Sequence, residues 1–319
     1  MSGIDLFAST ARPDPGLFFR KNDPNDPRFG EIVRHDPADY DAAQVVLLGC
    51  PQDEGVRRNG GRPGAANAPD EIRRCFYKLA LGGLAEHGDL HLFDLGNTLI
   101  QPTLEATHGL QREVVRQAVR DGKRLVILGG GNDISYPDCS ALALEEPDLL
   151  AFNVDAHFDV RADTPRNSGT PYRQLLEEGY LHPGRFHEMA HQPFGNSAVY
   201  MAYLRDKGVV VHSLLELRLR GLAPAFCNIL DESHAKAIFW GFDIDVVCAA
   251  DAPGVSAPNP LGMTGDELCQ LARLAGEDRR TRIIEIAEVN PAFDIDNRTC
   301  RLAAVAVFFY LTGLMLDKE

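Results

Sequence analysis

No Cys-x-x-Cys pair occurs among the seven cysteines, at positions 50, 75, 139, 227, 248, 269 and 300. Their odd number and scatter through apolar segments exclude a thiolate zinc module or a disulfide scaffold, and point to buried free thiols in a reducing compartment. Positive charge is also scarce: 32 Lys and Arg against 46 Asp and Glu leave a net charge of −14. Nucleic acid and anionic membrane are polyanions that require a basic face, so neither is expected as a partner. Long apolar runs are missing too. Leu302–Leu316 falls short of the roughly 20 residues that a membrane span requires, and it reads as a buried C-terminal helix, with a subunit-facing helix as the alternative. Asp5, Arg12, Asp14 and Arg20 interrupt the first twenty residues, which therefore lack a signal-peptide core and predict a cytoplasmic protein.

The hydrophobic fraction, 45%, is that of a globular protein with a substantial core. Residues 1–40, punctuated by Asp23-Pro-Asn-Asp-Pro27, read as an irregular arm. Beyond them, apolar runs at Val45–Leu48, Leu90–Leu95, Leu125–Leu128, Leu149–Val154, Val209–His212, Ala237–Phe242 and Ile283–Ile286 predict strands. Helical spacing lies between them, at Ile72, Cys75, Phe76 and Leu79 behind Pro69, and at Leu110, Val114 and Ala118. Strands apolar throughout and alternating with helices imply a mainly parallel sheet covered on both faces, a three-layer α/β/α fold over residues 41–319 as a single domain.

Ligands of such sheets bind at the carboxyl ends of the strands. Four polar motifs follow predicted strands directly: Gly129-Gly-Gly-Asn-Asp133, Asn153-Val-Asp-Ala-His-Phe-Asp159, the pair Asp243 and Asp245, and Glu288-Val-Asn-Pro291. On extended chain, Asp155 and His157 share a face, as do Asp243 and Asp245. Like charges so placed repel unless a cation lies between them. Carboxylates with one imidazole suit a hard to borderline divalent ion such as manganese. The alternative is a set of strand-end acids that tip into solvent. The glycine triplet matches neither phosphate-binding fingerprint.

These motifs, in this order, resemble the ureohydrolase (arginase) superfamily, with the likeness running from about Gly16 to the C-terminus. Arg20-Lys-Asn-Asp-Pro-Asn-Asp-Pro27, Asp53-Glu-Gly-Val-Arg-Arg-Asn-Gly-Gly-Arg-Pro-Gly-Ala65, Asn167-Ser-Gly-Thr-Pro171 and Asp251-Ala-Pro-Gly-Val-Ser-Ala-Pro258 look like its formimidoylglutamase branch. The resemblance implies an arginase-like sheet of about eight strands, a homo-oligomer and two Mn2+ ions per chain. Asp155 and Asp243 would bridge the ions, Asp159 and Asn132 would complete the first site, and His157 and Asp245 the second. The family usually has histidine where this chain has Asn132. A neutral carboxamide is the weaker donor, so the first site is expected to bind more weakly, with Asp133 as an alternative donor. Ser168 stands where arginases carry a histidine, and would orient substrate or water rather than act as a base.

Within this scheme Asp159 carries the proton to the leaving amine and Glu288 holds the amidinium. Glu288 could instead be a structural carboxylate paired with an arginine. An acidic substrate needs cationic partners, for which Arg161, Arg57, Arg58 and Arg62 are the candidates, with Asn167 and Ser168 for neutral hydrogen bonds. The favoured substrate is N-formimidoyl-L-glutamate, giving L-glutamate and formamide in histidine breakdown. The alternatives are a guanidino acid, agmatine, or a weakened metal-binding relative with a structural or regulatory role. His182, His187 and His191 read as loop histidines, and Cys248 as a buried thiol. His35, His87, His91, His108, His212 and His234 stand alone without an assigned role.

Overall fold

The computed structural model describes residues 3–85 and 90–316; His87 lies outside them. Nine strands form one sheet in the order β1-β3-β2-β4-β9-β8-β5-β6-β7. They are β1 (Thr10–Ala11), β2 (Val45–Gly49), β3 (Leu92–Thr98), β4 (Arg124–Leu128), β5 (Leu149–Val154), β6 (Phe186–His191), β7 (Val210–Ser213), β8 (Ala237–Asp243) and β9 (Thr281–Ala287). All pairings are parallel except β1 with β3. The ninth strand, against the eight expected, is the two-residue β1, which ties the N-terminal arm to the sheet edge through Thr10↔Thr98 and Ala11↔Asn97.

Period-2 alternation sends successive strand residues into different cores. Val126, Leu128, Phe152, Trp240 and Ile284 pack on one face; Leu125, Ile127, Ala151, Phe239 and Ile283 pack on the other. Both faces are therefore covered by helices, and the strand interiors contain few polar side chains. On the first face the C-terminal helix Arg298–Leu316 lies against helices Gly265–Glu277 and Ala68–Phe76. Its close approach needs Gly276 and Gly313, where a Cβ would stand 2.0 Å from Tyr310 O and 2.1 Å from Arg273 O. The apolar Leu302–Leu316 run thus lies on a helix packed against this layer.

β6 is absent from the strands expected from sequence. Its residues, Phe186-His-Glu-Met-Ala-His191, are all buried, so His187 and His191 are core histidines rather than loop residues. Only flanking context distinguishes such a polar strand from a loop. His182 is exposed in the preceding turn, where its ring accepts the Gly184 N–H at 3.2 Å.

One buried ion pair fixes the outer half of the sheet. The Arg73 guanidinium donates to both Asp94 oxygens at 2.9 Å, with both side chains fully buried. Tyr77 adds a hydroxyl donor to the same carboxylate.

Candidate metal centre

The four strands that carry the polar motifs, β4, β9, β8 and β5, are immediate neighbours in the sheet. Because they run parallel, their carboxyl ends open on one rim, and their motifs meet there. The rim is the floor of a cleft of about 480 Å³ lined by His157, Asp159, Arg161, Ser168, Asp243, Asp245 and Glu288 among others.

Two groups of ligand-bearing side chains overlap at Asp155. Asp155, His157 and Asp245 form one; Asp155, Asp159 and Asp243 form the other; within each, the candidate ligand atoms lie within 4.8 Å of one another. His157 Nδ1 stands 3.4 Å from Asp155 Oδ1 and 3.3 Å from Asp245 Oδ2. Asp243 falls only in the second group, whereas the resemblance implied both; its Oδ1 accepts the Asp245 N–H at 2.9 Å.

The i, i+2 spacing works differently from the pleat argument. Asp243 ends β8 and Asp245 sits in the turn Ile244–Val246, while Asp155 and His157 lie beyond β5. In each pair the first aspartate accepts the backbone N–H two residues on, at 2.7 Å for Asp155 to His157. These local turns, rather than a shared strand face, bring the side chains together. Asp159 and Glu288 adopt left-handed backbone conformations, with φ of 47° and 63°. Such strain in non-glycine residues is held in place by surrounding structure and concentrates at functional sites.

Electrostatics make the cluster unstable as a set of bare anions. Burial pushes the Asp155 carboxyl up to about 6 and those of Asp159, Asp243 and Glu288 well above the usual carboxylate range, with neighbouring carboxylates adding to the effect. The negative charge of Asp245, then that of Asp155, holds the His157 imidazolium far above its ordinary range. Asp245 Oδ1 is buried without a partner. Hard oxygen donors, one imidazole and an unpartnered carboxylate oxygen fit divalent cations such as Mn2+.

Asn132 sits beside both groups. Its Nδ2 donates to Asp159 Oδ2 at 2.7 Å and to Asp155 Oδ2 at 3.4 Å, and its backbone N–H donates to Glu288 Oε1 at 2.9 Å. Asp133 turns away from the cluster, to Gln52 Nε2 and His108 Nε2, both at 2.7 Å. It therefore does not stand in for the missing imidazole, and His108 is a buried partner of that turn.

The arginines separate cleanly. Arg161 lines the cleft, exposed, and its guanidinium has no hydrogen-bond partner among the described residues. Arg57 is exposed and paired with Glu54, and Arg58 is held by Glu54 at 3.0 Å and Glu105 at 2.6 Å. Arg62 donates to Val255 O and Ser256 O and lies 4.2 Å over the Phe293 ring. None of these three lines the cleft. Asn167 is spent on its own loop, with Oδ1 accepting the Gly169 N–H at 2.9 Å and Nδ2 reaching Asp163 at 3.2 Å. Ser168 lines the cleft, and its Oγ accepts from Asn59 Nδ2 at 3.1 Å. Cys248 is half-buried and outside the cleft.

Sequence reasoning missed the cleft residues Asn59, Asn196, Ser197 and Tyr200. It also missed the buried carboxyls Glu188 and Glu285. A lone carboxylate inside an apolar strand was the available signal for Glu285.

The family profile of the arginase family matches residues 43–312. The chain is 34% identical over 300 residues to a formimidoylglutamase of Paraburkholderia xenovorans, covering 86% of this chain and 88% of the relative. Among solved structures it resembles Trypanosoma cruzi formiminoglutamase with Mn2+, at 32% identity and a TM-score of 0.85 over 91% of this chain and 99% of that one. It also resembles formimidoylglutamase from Bacillus subtilis, at 27% identity and a TM-score of 0.87 over 95% and 98%. With its rim of clustered carboxylates and this breadth of likeness, the chain belongs to the arginase family of metal-dependent ureohydrolases.

Proposed function

We propose that the chain hydrolyses the C–N bond of an acidic linear amidine, N-formimidoyl-L-glutamate, to L-glutamate and formamide. The observation that carries this reading is Arg161: an arginine without a hydrogen-bond partner among the described residues, on the wall of a cleft whose floor is anionic. A substrate with a cationic amidinium at one end and carboxylates at the other matches that polarity. The relatives' activity as formimidoylglutamases supports the same choice.

One cation would be held by Asp155, Asp159, Asp243 and Asn132 and a second by Asp155, His157 and Asp245, with Asp243 also serving the second if the family resemblance holds. Divalent ions bound there supply a water nucleophile at neutral pH. The remaining work belongs to the chain. Glu288 has one oxygen on the Asn132 N–H and offers the other to the amidinium, which fixes the carbon to be attacked. Asp159 takes up the transferred proton on its carboxylate and returns it to the departing amine. Ser168, accepting from Asn59, keeps its own proton for substrate. The cation beside Asn132 is the more weakly held, because a carboxamide is a poorer donor than imidazole or carboxylate.

Formamide, ammonia and urea release should be measured with Mn2+ added, for N-formimidoyl-L-glutamate, 4-guanidinobutyrate, agmatine and arginine. Formamide from the first alone is expected. Urea from a guanidino substrate at a greater rate would overturn the assignment. Inactivity throughout would leave a metal-binding role. Manganese analysis after dialysis should find one tightly held ion per chain; two equivalent tight ions would contradict the weaker site.

A further inference from the structure

Behind Asn132 lies a single hydroxyl with two acceptors. Ser135 Oγ is 3.0 Å from Asn132 Oδ1, in short hydrogen-bonding contact with Glu285 Oε1, and 3.3 Å from the Tyr172 hydroxyl, which donates to it. All four side chains are buried. A serine hydroxyl owns one proton, so it donates to Asn132 or to Glu285 and not to both.

Each choice fixes the carboxamide. When Ser135 donates to Asn132 Oδ1, the amide oxygen is tied away from the carboxylates and the NH2 group faces Asp159 and Asp155, as observed. Glu285 then carries a proton at Oε1 and donates it to Ser135. When Ser135 donates to Glu285, Asn132 turned by half a rotation gives an N–H to Ser135 Oγ and directs Oδ1 towards Asp155 and Asp159. In both arrangements Ser135 accepts two hydrogen bonds and donates one. An N–H cannot ligate a cation, so the second alone lets Asn132 act as a ligand.

The carboxyl behind Glu285 makes both states accessible. Glu285 faces the neighbouring carboxyl of Asp138, whose Oδ1 accepts from Gln111 Nε2 at 2.8 Å. Asp138 Oδ2 and Glu285 Oε2 are buried with no hydrogen-bond donor among the described residues. Burial pushes Asp138 up to about 7 and Glu285 well above the usual range. The observed orientation calls for a proton at Glu285 Oε1; the turned orientation releases it, offsetting part of the charge of an entering cation.

We propose that Ser135, backed by Glu285, determines which end of the Asn132 carboxamide faces Asp155 and Asp159, and thereby whether Asn132 holds a cation. Both are positioning residues, and the inference rests on the reading of Asn132 as a ligand. Mn2+ binding to the full chain is measured by titration, with electron paramagnetic resonance separating exchange-coupled ion pairs from single ions, for Asn132→Ala, Ser135→Ala, Glu285→Met and Glu285→Gln. Thermal melting verifies that each variant folds. Ser135→Ala and Glu285→Met should weaken one ion about 10-fold, the lower end of the effect of outer-shell partners, leave the other unchanged, and replace the coupled spectrum by that of a single ion. Glu285→Gln, which can present either end of its amide to Ser135, should stay within about threefold of the parent. Loss in Asn132→Ala without loss in Ser135→Ala and Glu285→Met overturns the proposal and preserves the ligand reading. Equal loss in Glu285→Gln and Glu285→Met also overturns it. No change in Asn132→Ala removes the reading beneath it.

Discussion

Replacing Arg161 by alanine isolates the cationic wall of the cleft from its metal-binding floor. The guanidinium has no hydrogen-bond partner among the described residues, so its removal leaves no buried group unsatisfied and should leave the melting temperature unchanged. A charge-assisted hydrogen bond contributes about 1.5–3 kcal/mol. Arg161 is exposed, and solvent screening places it at the low end. A loss of about 1.5 kcal/mol corresponds to a roughly 10-fold rise in KM. Because the carboxylates of an acidic amidine are remote from the reacting carbon, kcat should change less than about threefold, the pattern of lost uniform binding. Arg62→Ala is the internal control: it strips donors from Val255 O and Ser256 O rather than from substrate, and should lower stability with KM nearly constant. Initial rates of formamide release, with manganese content measured on the same samples, decide the matter. An unchanged KM in Arg161→Ala, or equal rises in both variants, refutes the assignment of Arg161.

Asn132→His supplies an imidazole in place of the carboxamide and should retain a second Mn2+ through dialysis, as counted by elemental analysis. Arg73→Met strands the buried Asp94 carboxylate and should cost about 3–5 kcal/mol in urea unfolding, most of it regained in Arg73→Met with Asp94→Leu. Burial depresses His187 to about 4 and lowers His191 and His212, so these rings are neutral in the fold while the unfolded chain protonates near pH 6.5. Their contribution is present above about pH 6.5 and is lost as pH falls towards 4, by about 3 kcal/mol for His187; His187→Gln should flatten that part of the stability profile, read by denaturant midpoints.

The motifs were legible because each follows an apolar run that could be nothing but a strand, and parallel strands put their carboxyl ends on one rim. That β4, β9, β8 and β5 are adjacent was not legible, since strand order is a matter of tertiary packing. Nor was the turn geometry: Asp155 and Asp243 reach their i+2 neighbours through backbone hydrogen bonds, which spacing alone cannot distinguish from a shared pleat. Arg57 and Arg58 did carry a readable signal. Glu54 precedes them by three and four residues, the interval at which a short helix pairs opposite charges, and it occupies both. Arg62 carried none, because its acceptors are backbone carbonyls almost two hundred residues away.

The buried acids divide by what can neutralise them. Asp155, Asp159, Asp243, Asp245 and Glu288 share a cleft that a cation or an amidinium can enter. Asp138, Glu188 and Glu285 lie behind it, wholly buried, and meet Gln111, Asn153 and Ser135 rather than any arginine or lysine. Desolvation without a counter-charge favours the protonated acid, and these three orient the inner ligands through hydrogen bonds to Gln111, Asn153 and Ser135. Glu188 illustrates the division: it accepts from Asn153 Nδ2 at 2.9 Å, the same amide that reaches Asp155 Oδ2 at 3.4 Å. A charged Glu188 would compete for that amide against the carboxylate it supports. A protonated Glu188 holds Asn153 in place and leaves the negative charge on Asp155, where a metal can use it.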